Sequence, residues 1–119
     1  MTTENLHQGS CHCGAVRFSV ELDLSQAVNA CNCSLCGRSG TLLTFVGANA
    51  FKLEQGEDAL TEYRFNKNAI EHLFCKTCGV RSFSRGVGPN GPVYAVNARC
   101  LEGVDVASLN VNHVDGRSF

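Results

Sequence analysis

Cys75-Lys76-Thr77-Cys78-Gly79 is the stretch that decides what kind of fold this chain can have. Two thiols separated by two residues and followed by glycine form a tight turn. The turn aims both sulfurs at one point, and the glycine tolerates the backbone conformation it needs. Alone, the pattern is a weak signal, because thiol redox proteins use it too. Working outward, the chain carries two more clusters, Cys11-His12-Cys13-Gly14 and Cys31-Asn32-Cys33-Ser34-Leu35-Cys36-Gly37. Together the three hold all but one of the 8 cysteines in 119 residues. Disulfides need an oxidising compartment and suitable Cα separations. Cys-x-Cys pairs cannot readily bridge to each other, and Met1–Ser10 is polar with no apolar segment of a secretory signal. The clusters therefore favour metal over a disulfide scaffold, and thiolates are soft ligands suited to zinc.

The composition narrows the rest. The length suits one domain with one core, so residues 1–119 read as a single zinc-binding domain. Hydrophobic residues make up 44% and charged residues 18%, with a net charge of -1. No Lys/Arg block appears, which argues against a nucleic-acid partner. No apolar run approaches the roughly 20 residues of a membrane span. With no export signal, the expected location is the cytoplasm.

The apolar pattern is short and alternating, as in strands. In Ala15–Val20, the residues Val16, Phe18 and Val20 share one face. Further strands are expected at Leu42–Val46, Phe51–Leu53, Leu60–Phe65, Ile70–Phe74, Val80–Ser84 and Val93–Ala98. Gly86–Pro92, rich in Gly and Pro, reads as a surface turn. Helix signals are thin, with a single turn expected within Val104–Leu109 and a frayed start at Thr2–Asn5. Phe18, Phe45, Phe65, Phe74 and Phe83 are assigned to the core. The fold class is mostly β.

Seven clustered cysteines divide naturally as four plus three. A structural zinc takes four ligands, and a catalytic zinc commonly keeps three protein ligands and one open position. The middle cluster holds Cys31, Cys33 and Cys36 within one short segment and can cap one ion alone. Cys11, Cys13, Cys75 and Cys78 then form a closed site that staples the N-terminal strand to a distant hairpin. One four-cysteine zinc plus spare thiols is the alternative, and spacing alone does not choose. Cys100 stands apart and reads as a buried small apolar residue, with a role as fourth ligand to the second ion less favoured.

The order Gly9-Ser10-Cys11-His12-Cys13-Gly14-Ala15-Val16, Cys31-Asn32-Cys33-Ser34-Leu35-Cys36 and Phe74-Cys75-Lys76-Thr77-Cys78-Gly79 resembles the glutathione-dependent formaldehyde-activating enzyme family, which also includes centromere protein V. The resemblance runs from about Gly9 to about Leu101. It implies a β-tent of small antiparallel sheets stapled by zinc. It also implies two Zn2+ per chain: a structural ion on Cys11, Cys13, Cys75 and Cys78, and a second on Cys31, Cys33 and Cys36. The activity it implies is condensation of formaldehyde with glutathione to S-hydroxymethylglutathione, a carbon–sulfur lyase running in reverse. The chain is short for the enzyme that names the family, ending at Asp115-Gly116-Arg117-Ser118-Phe119, so it resembles a minimal member. The fold and metal sites carry over better than the substrate.

Coordination to zinc lowers a thiol's pKa, so a three-cysteine site suits a small thiol such as glutathione beside an aldehyde. Three thiolates on one dication leave a net charge near minus one, which disfavours a fourth unless a donor compensates. Arg38, just after Cys36-Gly37, is the candidate nearest in sequence, although a solvated surface arginine fits it equally. None of His7, His12, His72 and His113 lies in an acid/base motif. Two classes of function follow: an enzyme acting on a thiol–aldehyde adduct at Cys31, Cys33 and Cys36, or a non-catalytic zinc-stapled binding module or glutathione carrier.

Overall fold

The computed structural model describes residues 6–63, 70–89 and 91–115. The expectations at Thr2–Asn5 and Phe65 lie outside these. The described residues are mostly β, as the alternating pattern requires. A first sheet joins β1 (Leu6–Ser10), β2 (Arg17–Glu21) and β5 (Phe51–Gln55), all antiparallel, in the order β1-β2-β5. A second sheet has seven strands in the order β10-β3-β4-β9-β8-β7-β6. Its members are β3 (Val28–Cys31), β4 (Leu43–Gly47), β6 (Leu60–Tyr63), β7 (Glu71–Cys75), β8 (Phe83–Gly88), β9 (Gly91–Asn97) and β10 (Val111–Val114). All its pairs are antiparallel except β10 with β3.

The inner faces of the two sheets meet through aromatic rings. Phe18 of β2 and Phe51 of β5 stack at 5.3 Å between centroids. Phe51 lies 4.3 Å from Tyr94 of β9 and 4.7 Å from Phe83 of β8. Val16, Phe18 and Val20 are buried together, as their common face demands. Burying each such side chain contributes roughly 1.5–3 kcal/mol.

Three expectations are corrected. Phe45 is 58% exposed, not core. Strand alternation sets it beside Ala95, whereas the next residue, Val46, pairs with Tyr94 and packs against the core. Phe74 is only half-buried. Gly86–Pro92 is mostly strand: β8 runs to Gly88 and β9 restarts at Gly91, directly opposite it. Pro92 lies beyond the last pairing of β4 with β9, at Val93. The strand there has a neighbour on one side only, and a missing N–H is tolerated. The single turn expected in Val104–Leu109 is a 3-10 turn over Val106–Ser108.

One helix, α1 (Ser34–Ser39), was not legible in the pattern. The Cys33 side chain caps it by accepting from the Cys36 N–H, and Gly40 closes it at φ 71° with its N–H on the Cys36 carbonyl. β3, which delivers the chain to α1, meets β4 at one residue pair, Asn29 with Leu43. The Asn29 side-chain amide donates to the Leu43 carbonyl at 3.2 Å and reinforces this narrow join.

Candidate metal centres

The sulfurs of the three clusters fall into two groups. Cys11, Cys13, Cys75 and Cys78 form one, and Cys31, Cys33 and Cys36 the other, with the sulfurs of each group within 4.8 Å of one another. Cys100 belongs to neither. It is half-buried and donates to the Arg81 carbonyl at 3.7 Å.

Two matching loops build the four-sulfur group. Cys11 N–H donates to the Val16 carbonyl and Cys75 N–H to the Val80 carbonyl, both at 3.1 Å. Gly14 and Gly79 turn each loop at φ 83° and 81°, a left-handed conformation that costs glycine little. Backbone N–H groups point at the sulfurs: Val16 to Cys11 and Thr77 to Cys75, each at 3.4 Å. Cys11 follows β1 of the first sheet and Cys75 ends β7 of the second, so the group joins the two sheets.

The spacing fits a metal. Cys11 and Cys13 sulfurs lie 3.6 Å apart, and Cys13 and Cys75 sulfurs 3.7 Å. Four sulfurs about 2.3 Å from one ion in a tetrahedron stand about 3.8 Å apart, whereas a disulfide needs about 2.05 Å. The proton balance fits as well. Backbone N–H groups of Cys13 and Val80, with the neighbouring thiols, pull Cys78 down to about 6. Cys13 receives the Ala15 N–H, which lowers it, but desolvation and the surrounding thiols outweigh this and push it up to about 11. Four thiols this close cannot all ionise unaided, and a dication among them removes that conflict.

The three-sulfur group is local. Cys31 ends β3, Cys33 caps α1 and Cys36 lies within it. The Cys33 N–H donates to Cys31 sulfur at 3.4 Å, and the Cys36 N–H to Cys33 sulfur at 3.3 Å. Burial, then the adjacent thiols, pushes Cys36 up to about 11, with the Arg81 charge opposing. This group borders open space. A cavity of about 800 Å3 is lined by Cys31 and Cys36 together with Thr41, Arg99, Asp105 and His113. A second, of about 330 Å3, shares Cys31 and His113. The four-sulfur group lines neither.

The arginine whose charge is felt at Cys36 is Arg81, not Arg38. Arg38 is exposed and donates to Ser34 O, within its own helix, at 2.9 Å. Arg81 reaches α1 at Ser39 Oγ at 2.8 Å, and its second terminal nitrogen donates to His72 Nδ1 at 3.2 Å and Ser84 Oγ at 3.3 Å. Burial, then the Arg81 charge, holds His72 below its ordinary value, which keeps Nδ1 able to accept. No spacing motif links Arg81 to Cys36, so only the fold reveals the pair. His113, similarly unmarked in the sequence, reaches both cavities because β10 pairs in parallel beside β3, His113 opposite Ala30.

Known proteins resemble this chain in sequence and fold. The sequence profile of the glutathione-dependent formaldehyde-activating enzyme family matches residues 6–112. A Halomonas elongata protein, provisionally named a glutathione-dependent formaldehyde-activating enzyme, is 32% identical over 81 residues, covering 61% of this chain and 52% of the relative. The chain thus spans about half the length of that curated relative. A crystal structure of a Rhodobacter sphaeroides protein superposes with a TM-score of 0.75 at 31% identity, covering 88% of this chain and 99% of the other. With the profile spanning nearly all the described residues, the chain belongs to the glutathione-dependent formaldehyde-activating enzyme family.

Proposed function

We propose that the protein is a zinc-dependent enzyme of the carbon–sulfur lyase type that joins a small thiol, glutathione, to formaldehyde as S-hydroxymethylglutathione. In this reading Cys11, Cys13, Cys75 and Cys78 hold a structural zinc, and Cys31, Cys33 and Cys36 a second. The chain acts as one domain. A reducing cytoplasm suits its eight free thiols. The observation that supports the reading is that Cys31 and Cys36 of the three-sulfur group, and no member of the four-sulfur group, line the larger cavity. When bound there, the ion supplies one exchangeable position and lowers the pKa of a thiol that takes it.

The chain's own groups do the rest. Cys31, Cys33 and Cys36 fix the position of the incoming sulfur. Arg81 offsets the negative charge that accumulates. The reaction is an addition. A sulfur–carbon bond forms, the carbonyl π pair moves to oxygen, and the proton lost by the thiol ends on that oxygen. His113, at the border of both cavities, is placed to pass that proton, the commonest role of a catalytic imidazole.

Cobalt substitution tests the sulfur step, since a new thiolate ligand alters the visible charge-transfer bands. Glutathione should change them and S-methylglutathione should not. Adduct formation should exceed the spontaneous rate, measured without protein and with denatured protein, and Cys36→Ser should abolish the excess. Binding without acceleration would replace the enzyme by a glutathione carrier.

A further inference from the structure

The cavity beside Cys31 and Cys36 is far larger than a sulfur and a one-carbon aldehyde require, at about 800 Å3. It is an open depression, with room beside the sulfurs for more than the reacting atoms. Its charged lining is sparse and of both signs, with Arg99 and Asp105. Arg99 is held at its base. Its backbone N–H donates to Asn97 Oδ1 at 3.1 Å, and its Nε to the Gly40 carbonyl, at the end of α1, at 2.9 Å. Its two terminal nitrogens have no hydrogen bond or ion pair among the described residues, and the side chain is exposed. An anchored guanidinium with a free fork suits a carboxylate. Thr41 adds a second polar group. It lines the same cavity, is 5% exposed, and its Oγ1 has no hydrogen-bond partner among the described residues. A buried polar group without a partner is uncommon in a folded protein.

We infer that this cavity seats the non-reacting part of the thiol substrate and that Arg99 binds a carboxylate there, so the site selects thiols that carry one. The inference rests on the reading of Cys31, Cys33 and Cys36 as the thiol-binding centre. Arg99 is a specificity residue in this scheme. It sits on the turn after β9, outside both cysteine groups, and the Gly40 contact fixes its distance from Cys36 through α1.

The test compares ligands across variants of the metal-loaded chain by calorimetry. Glutathione should bind at least tenfold more tightly than its diester, and Arg99→Met should remove that difference. Binding of 2-mercaptoethanol, which has no carboxylate, should stay within twofold, and this also reports that the variant is folded. Arg99→Lys should recover part of the preference. S-methylglutathione reads the cavity without the sulfur bond; it should bind weakly and lose that binding in Arg99→Met. Equal affinity for glutathione and its diester would overturn the inference, as would equal weakening of charged and uncharged thiols by Arg99→Met. If no thiol alters the cobalt bands, the centre itself is misread. Arg99-dependent binding of S-methylglutathione would then still support the carboxylate site, and its absence would overturn both.

Discussion

Arg81 shows how one residue changes the chemistry of a site it does not adjoin in sequence. Its guanidinium spans from Ser39 on α1 to His72 and Ser84 on the second sheet. A cation here favours ionised sulfur at Cys36, and would do so more if a fourth thiolate joined the group as proposed. Arg81→Met should therefore weaken glutathione at the three-sulfur centre about fivefold to tenfold, on the order of 1 kcal/mol for a partly buried charge. Titration of the zinc-loaded variant checks this, and unchanged affinity would contradict it. Gly9 is a second telling residue. A Cβ there would stand 2.3 Å from the Phe18 ring and 2.9 Å from the Cys100 carbonyl. The ring cannot swing away, because it is stacked on Phe51. Gly9→Ala should cost about 1–3 kcal/mol, read from the denaturation midpoint. The thiols were legible in the sequence because their chemistry is intrinsic to residue type and short spacing. The placement of Arg81, Thr41 and Arg99 was not, since it comes from neighbours that only the tertiary fold supplies.

At the scale of elements, legibility followed hydrophobic alternation. β2 and β5 declare themselves through Phe18, Val20, Phe51 and Leu53. β10 does not, because Val111, Asn112 and His113 are all exposed and no face is apolar. α1 is too short for a helical period to emerge and is organised by its cap instead. The most consequential element is the β3–β10 pair, which carries Cys31 and His113 and joins β4 at Asn29. Asn29→Ala should remove the reinforcing amide bond and cost about 1 kcal/mol. Amide exchange should quicken in β3 and β10 while β8 and β9 stay protected. Equal acceleration throughout would show that the join is not where the sheet yields.

Across the whole molecule, the two sulfur groups are placed differently: one joins the two sheets, and the other borders the larger cavity. The chain should carry two zinc ions when purified without chelator. Elemental analysis giving one, with three freely alkylated thiols, would remove the second centre. Cys75→Ser should unfold or strongly destabilise the chain, because the four-sulfur group clasps the two sheets and a metal held there would contribute directly to folding. Cys36→Ser should leave a folded protein with a weakened second centre. Equal losses in thermal melts would refute this division.

The clasp also sets an order of events. Cys13 and Cys75 are 62 residues apart, whereas Cys31, Cys33 and Cys36 are near neighbours. Closing a long loop is slower and entropically more costly than closing a short one. A chain leaving the ribosome therefore presents its trio complete while half the clasp is still unmade. When zinc is scarce, the trio should therefore capture an ion first and lose it to the clasp once β7 delivers Cys75. Refolding with one equivalent of metal should show cobalt bands of the trio early and those of the clasp late. A newly made molecule would thus gain its architecture by briefly emptying its chemistry.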